Sequence, residues 1–243
     1  MKIEVASSAG FCFGVNRAVD AVYRLLEEGK KAATLGPIIH NPQIVSDLKE
    51  RGVCVVERPE DTPPGAVLVI RSHGVPKSVT DRVAGLGLSC VDATCPFVKK
   101  LHDLARCAGE EGRTFLLFGD SGHPEVQGII GHCVGEHYVI KDALELQNLL
   151  ENNSLLANKP LTVAAQTTFN AQEWENTLKT LKKVCTNAVV FATICNATAK
   201  RQKEAKALAE RSDAMLVIGG RNSSNTAKLR DICAQYCPTY LVE

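Results

Sequence analysis

Apolar residues recur at three- and four-residue steps after Cys12 (Val15, Ala18, Val19, Val22, Leu25, Leu26) and after Cys95 (Phe97, Leu101, Leu104, Ala105, Ala108). This spacing predicts amphipathic helices that each begin at a cysteine. A third helix, NATAKRQKEAKALAERS, begins at Cys195 with a weaker apolar stripe. Each helix leads to a short apolar run ending in glycine: KAATLG to Gly36, RTFLLFG to Gly119, and DAMLVIG to Gly219. Such runs, bounded by glycine, predict buried strands. Every one of these glycines lies 24 residues after its cysteine, and four residues further on stand His40, His123 and Ser223. They occupy the polar turns GPIIHNP, GDSGHPE and GRNSSNT.

One local programme therefore runs three times, the mark of an internal repeat. The copies continue with a helix such as PQIVSDLKERG, a further strand, and a second strand-to-helix junction, RSHGVP in the first copy and AQTTFN in the second, which pairs His73 with Thr167. VDATC and FATIC close these copies and deliver Cys95 and Cys195, after units of 83 and 100 residues. The predicted fold class is α/β: three quasi-threefold-related α/β modules with small, mostly parallel sheets around a central site. The modules span 14–94, 95–193, and 194–243 with 1–13. The third is expected to lack its second half at the C-terminus, and the opening strand KIEVAS is expected to pair back into it. Polar turns between strand ends and helix starts are where open α/β sheets place ligand-binding groups.

Composition narrows the chemistry. With 243 residues, 45% of them hydrophobic, the chain is long enough to bury a real core. No apolar run approaches the roughly 20 residues of a membrane span, and the start lacks the charged-then-apolar order of a secretory signal, so the cytoplasm is the expected location. A net charge of +1, with both signs interspersed, gives no footprint for nucleic acid or a membrane surface and points to a small-molecule partner. Ten cysteines in such a chain read as core residues, reactive thiols or metal ligands rather than disulfides. There is no CxxC pair, and Cys233 and Cys237 form an isolated CxxxC, so any metal site is assembled from distant segments.

Unpaired backbone N–H groups and the helix dipole stabilise a thiolate at a helix start, which suits Cys12, Cys95 and Cys195 to bind metal. Pro96 supports the helix start after Cys95. Three thiolates where a cubane takes four predict a [4Fe-4S] cluster with three cysteine ligands and one open iron, able to act as a Lewis acid while the cluster supplies electrons. Cys54, Cys90, Cys107, Cys133, Cys185, Cys233 and Cys237 lack matched partners and read as core or surface residues. His40, His73 and His123, with Ser223, Ser224 and Asn225, form a candidate anion pocket whose donors suit phosphate oxygens without a P-loop. Glu125, in GHPEV, is either a solvated helix-start carboxylate or a proton donor. Asn41 and Gln166 are weaker candidates, and His102, His132 and His137 read as packed or surface histidines.

The motifs AGFCFGV, IIHNP, RSHGVP, DATCP, GHPEV, QTT and NSSNT, in this order and spacing, resemble the LytB family of 4-hydroxy-3-methylbut-2-enyl diphosphate reductases. The resemblance implies an iron-sulfur oxidoreductase of the last step of non-mevalonate isoprenoid biosynthesis. It would remove a hydroxyl from an allylic diphosphate with two electrons and two protons, giving isopentenyl and dimethylallyl diphosphate. It makes Cys12, Cys95 and Cys195 the cluster ligands, and His40, His73, His123, Ser223 and Asn225 the diphosphate site with Ser224 beside them. Glu125 would donate the proton, Thr167 would orient the substrate oxygen, and a ferredoxin or flavodoxin would supply electrons. The family continues with a segment resembling GAST that this chain does not reach. A non-redox dehydratase and an iron-sulfur electron carrier or sensor are the competing readings, separated by electron demand and by the need for an anion pocket.

Overall fold

The computed structural model describes residues 2–243; Met1 lies outside the described residues. The first copy runs α1 (Phe13–Glu27), β1 (Ala32–Leu35), α2 (Pro42–Glu50), β2 (Cys54–Val56), a 3-10 turn at Pro59–Asp61, β3 (Val67–Ile70), α3 (Lys77–Gly85) and β4 (Cys90–Asp92). The second runs α4 (Pro96–Glu110), β5 (Thr114–Phe118), α5 (Pro124–Ile130), β6 (His137–Ile140), α6 (Ala143–Asn152), a 3-10 turn at Leu156–Asn158, β7 (Leu161–Ala165), α7 (Ala171–Val184) and β8 (Ala188–Val190). Last come α8 (Asn196–Ala209), β9 (Met215–Ile218), α9 (Ser224–Cys233) and β10 (Thr239–Val242). The strands form three sheets, ordered β2-β1-β3-β4, β6-β5-β7-β8 and β10-β9, and every pairing in them is parallel. No helix is long and apolar enough to cross a membrane among the described residues.

The chain divides into two compact units. One holds residues up to Gly10, Cys107–His123 and Val134–Glu243; the other holds Phe11–Arg106 and Pro124–Cys133. In the latter, the first sheet is covered on both faces, which explains why its strands are apolar without alternation. Ala32 and Val69 pack with Ala18, Val22 and Leu25 of α1 and with Ile38 and Leu48, while Ala33, Leu35, Leu68 and Ile70 pack with Val75 and Val83. In the other unit, Leu116, Phe118, Val163 and Ala165 pack against Leu146 and Leu150 of α6 and Trp174 and Leu181 of α7. Val217 of the third sheet packs against Ala205 and Ala209 of α8 and Cys233 of α9, while Leu216, Ile218 and Tyr240 are exposed.

The matched glycines make the same bond three times. Gly36 N–H donates to Val56 C=O at 2.7 Å, Gly119 N–H to Ile140 C=O at 2.9 Å, and Gly219 N–H to Val242 C=O at 2.9 Å. Each bond extends the parallel ladder by one rung past the end of β1, β5 or β9, so the chain leaves all three strands from an equivalent point. Gly36 also has φ +68°, and the space a Cβ would take there is filled by the Arg71 guanidinium, so only glycine fits.

Two expectations are corrected. KIEVAS forms no strand: residues 2–6 carry no ladder, and Ile3 and Val5 are exposed. The segment is instead held by side chains of α8 and of the turn that follows it. The Glu204 carboxylate accepts from Ser7 N–H at 2.6 Å, from Ser8 N–H at 2.9 Å and from the Ser8 hydroxyl, and Arg211 pairs with Glu4 at 2.5 Å. Those bonds hold the Glu204 carboxyl near 2, well below its ordinary range. The pairing of His73 with Thr167 also shifts by one. Leu35 is level with Ile70 in the first sheet and Phe118 with Ala165 in the second. Counting on from Ile70 and Ala165 sets Ser72 against Thr167 and His73 against Thr168.

His102 and His132 stack with ring centroids 4.1 Å apart and planes 15° apart, between α4 and the end of α5. His132 Nε2 lies 3.1 Å from Val75 C=O, whereas the buried His102 Nε2 has no hydrogen-bond partner among the described residues. Burial first, and then the neighbouring His132, push His102 down to about 4 from 6.5. A base depressed in the folded state binds protons more readily when unfolded, so its contribution is intact above about pH 6.5 and is lost as pH falls toward 4. Two and a half units correspond to roughly 3 kcal/mol. Urea unfolding at pH 7.5 and pH 4.5 should therefore show a pH-dependent loss that shrinks by roughly 2–3 kcal/mol in His102→Gln.

Candidate functional site

Each of the three candidate cluster cysteines stands at a helix start with the same main-chain bond. Asn16 N–H donates to Cys12 C=O at 3.0 Å, Lys99 N–H to Cys95 C=O at 2.9 Å, and Ala199 N–H to Cys195 C=O at 3.0 Å, each four residues on. Cys12 and Cys195 are N-caps in extended backbone, and Cys95 immediately precedes Pro96, the first residue of α4. All three are partly exposed and free of disulfides. Cys12 Sγ makes no cap bond, while Cys195 Sγ accepts from Thr198 N–H at 3.4 Å. The strand side is matched too. Cys95 N–H donates to Ser72 C=O at 2.9 Å, and Cys195 N–H to Thr167 C=O at 3.0 Å.

Within the unit that holds both cysteines, Cys95 lies against Gly14, two residues after Cys12. A Cβ on Gly14 would lie 2.6 Å from Cys95 Sγ, so the thiol occupies the space that the missing side chain leaves on the first turn of α1. Thiols at helix starts, with no cap bond on Cys12 Sγ among the described residues, fit an iron-sulfur centre by donor chemistry.

Of the candidate anion ligands, His40, His123 and Ser223 to Asn225 follow the matched glycines, and His73 follows β3 at the second junction. Asn41 caps α2 by accepting Ile44 N–H at 2.9 Å, and the adjacent His40 stacks on His73 with centroids 4.3 Å apart. Burial, and secondarily the Arg71 cation, lower the His40 pKa, which keeps the imidazole neutral with one N–H to give. In the other unit, buried His123 is turned in by its N–H to Asp120 C=O at 2.9 Å. Ser223 caps α9 by accepting Thr226 N–H at 3.3 Å. Thr168 Oγ1 donates to Ser224 Oγ at 2.9 Å, tying the β7 junction to α9. Asn225 Oδ1 is buried with no hydrogen-bond partner among the described residues. Glu125, at the second residue of α5, is 2% exposed, and Thr167 is 6% exposed. The solvated reading of Glu125 is thereby removed: a carboxyl this buried needs a protein or ligand partner.

Sequence reasoning passed over Arg71 and Thr168. The signal for Arg71 was faint, a cation two residues before His73; Thr168 was hidden by the one-residue slip in register. Gly14 was visible only as part of AGFCFGV.

Similarities to known proteins bear on this arrangement. The LytB protein family matches residues 3–243. The 4-hydroxy-3-methylbut-2-enyl diphosphate reductase of Caldanaerobacter subterraneus subsp. tengcongensis is 43% identical over all of this chain and 84% of its own length. The protein of the same name from Syntrophotalea carbinolica is 44% identical over all of this chain and 85% of its own. A solved (E)-4-hydroxy-3-methyl-but-2-enyl diphosphate reductase, described as the terminal enzyme of the non-mevalonate pathway, shares 38% identity at TM-score 0.73, covering 99% of this chain and 85% of that one. The E-1-hydroxy-2-methyl-but-2-enyl-4-diphosphate reductase of Plasmodium falciparum shares 26% identity at TM-score 0.89, covering 96% and 74%.

Alanine at Gly14 tests the cysteine geometry. The neighbour it meets is the end of a side chain, so the fold should survive with its circular dichroism spectrum unchanged. Displaced Cys95 should leave the reconstituted protein with less than about half the wild-type iron per chain, and a full complement would show that this contact does not matter.

Proposed function

The chain belongs to the LytB protein family, and from that premise we propose that it is a 4-hydroxy-3-methylbut-2-enyl diphosphate reductase working in the last step of the non-mevalonate isoprenoid pathway. The family's dependence on iron and sulfur meets its fit in the donor set above. We assign Cys12, Cys95 and Cys195 as ligands of a [4Fe-4S] cluster with one open iron. Once bound, the cluster would pass the donor's electrons on one at a time, two per turnover, and would offer a Lewis-acidic position. The observation that carries this reading is the repeated frame: cysteine at a helix start, glycine rung 24 residues later, polar side chain four residues beyond.

The diphosphate is held by His40, His73 and His123 and by Ser223, Ser224 and Asn225. Imidazole, hydroxyl and amide donors at the starts of α2 and α9 satisfy its oxygens, and the helix dipoles favour its charge. Fixing the charged end spends binding energy on orienting the allylic carbon. Thr167 hydroxyl orients the substrate oxygen. Glu125 transfers a proton to that oxygen, so the C–O bond breaks with water as leaving group. Two electrons and a second proton then form a C–H bond at either end of the allyl system, giving isopentenyl or dimethylallyl diphosphate.

A reduced ferredoxin or flavodoxin is the proposed electron donor, and the cytoplasm the proposed location. We also retain three modules, 14–94, 95–193 and 194–243 with 1–13. Support comes from the three sheets with matched glycine rungs and from the Glu204 and Arg211 bonds that attach the N-terminal segment to α8 and the turn after it.

The test is anaerobic reconstitution followed by turnover of the allylic diphosphate with a chemical reductant. Stoichiometric consumption of two electrons per water lost is expected; water loss without reductant would instead mean a dehydratase. Glu125→Gln should lower kcat by roughly 10²- to 10⁴-fold, with KM and iron content little changed.

A further inference from the structure

We propose that Arg17 and Arg201 are positioning residues for the cysteine ligands, each standing on the helix begun by one cysteine and gathering the backbone carbonyls of the segment that leads into another. Arg17 lies on α1, five residues after Cys12. Its Nη1 donates to Thr94 C=O at 2.9 Å and Ala93 C=O at 3.4 Å, and its Nη2 to Asp92 C=O at 3.3 Å. These are the last three residues before Cys95. Arg201 lies on α8, six residues after Cys195. Its Nε donates to Ser8 C=O at 3.0 Å and its Nη2 to Gly10 C=O at 2.5 Å, in the segment that runs directly into Cys12.

The two arrangements share a physical reason. β4 is an edge strand, so the chain beyond it has a neighbour on one side only. Alternate N–H groups turn toward the sheet, Ala93 N–H to Ile70 C=O at 3.1 Å and Cys95 N–H to Ser72 C=O at 2.9 Å, while Thr94 N–H between them bonds to the Asp92 carboxylate at 2.9 Å. The residues between, Asp92 and Thr94, alternate to the outer side, where their carbonyls have no strand to accept from. A guanidinium, with five donors in a planar fork, gathers them. The segment before Cys12 has no ladder at all, and α8 holds both sides of it, Glu204 taking the N–H groups of Ser7 and Ser8 and Arg201 the carbonyls. Neither arginine pairs with a carboxylate among the described residues. Both cations are committed to main chain.

The consequence is kinetic. A cluster leaves when one ligand lets go, and the backbone leading into a cysteine sets how far its sulfur can stray. Losing Arg17 loosens Cys95, and losing Arg201 loosens Cys12, while the sheets and helices remain.

The experiment compares reconstituted wild type with Arg17→Met, Arg201→Met and, as an exposed control on α1, Arg24→Met. Iron and acid-labile sulfide per chain are measured, then the rate of iron release to a chelator, beside thermal melting of each apo protein. Both methionine variants should release iron at least tenfold faster than wild type with apo melting nearly unchanged, Arg17→Lys should recover part of the difference, and the control should match wild type. Release at the wild-type rate would overturn the proposal, and so would faster release that follows a matching fall in apo melting. The inference rests on the ligand assignment above, which Cys95→Ser tests separately. Full iron in Cys95→Ser sinks that assignment, whereas iron lost in Cys95→Ser but retained in Arg17→Met sinks the arginine role alone.

Discussion

A parallel strand that stops inside a protein leaves backbone donors and acceptors that water cannot reach, and each must find a partner. The arrangement of this chain follows from how those groups are satisfied. At the ends of β1, β5 and β9 the partner is the carbonyl of the neighbouring strand's last residue, reached by the N–H of Gly36, Gly119 or Gly219. At the strands that deliver Cys95 and Cys195 it is the carbonyl of Ser72 or Thr167. Because the obligation is the same each time, the chain emerges in the same attitude each time. The residues with chemistry to offer then stand a fixed number of positions beyond. Site geometry is thus a by-product of completing hydrogen bonds, and the same economy gives Arg17 and Arg201 their places.

Much of this was legible in the sequence because it is local. Helix period, apolar strand and terminal glycine are each encoded within a dozen residues, and their recurrence at one offset removes the ambiguity a single copy would have. The cysteines at helix starts followed directly, as did the polar turns that carry His40, His123 and Ser223. What was not legible depended on partners remote in sequence. KIEVAS alternates like a strand, yet strand formation needs an edge in register, and α8 offers it Glu204 and Arg201 instead. The slip that set His73 against Thr167 rather than Thr168 arose because loop lengths differ between copies, and only the ladder fixes the count.

Electrostatics follows burial in the same way. His40 is kept neutral by its half-buried position and by Arg71, and His102 is held far below its usual range against His132. Arg71 fills the space beside Gly36 and reaches the same turn as His40, so one missing side chain admits a cation to a site otherwise built of neutral donors. Cations on long side chains are hard to place from sequence, since their stems reach several residues away from where they are written.

The two full copies differ in one element: α6 stands between β6 and β7, where the first copy has only the 3-10 turn Pro59–Asp61 between β2 and β3. Its apolar residues Leu146 and Leu150 join the core of the second sheet, and the glycine rungs and cysteine helix starts are undisturbed by it. Duplicated segments diverge most easily where added length changes no shared register. The crossover between an edge strand and its successor is such a place in this fold, whereas the four-residue interval from glycine to ligand-bearing turn is not. A lineage remodelling this scaffold has freedom in its outer connections and almost none in the short intervals that count out its chemistry.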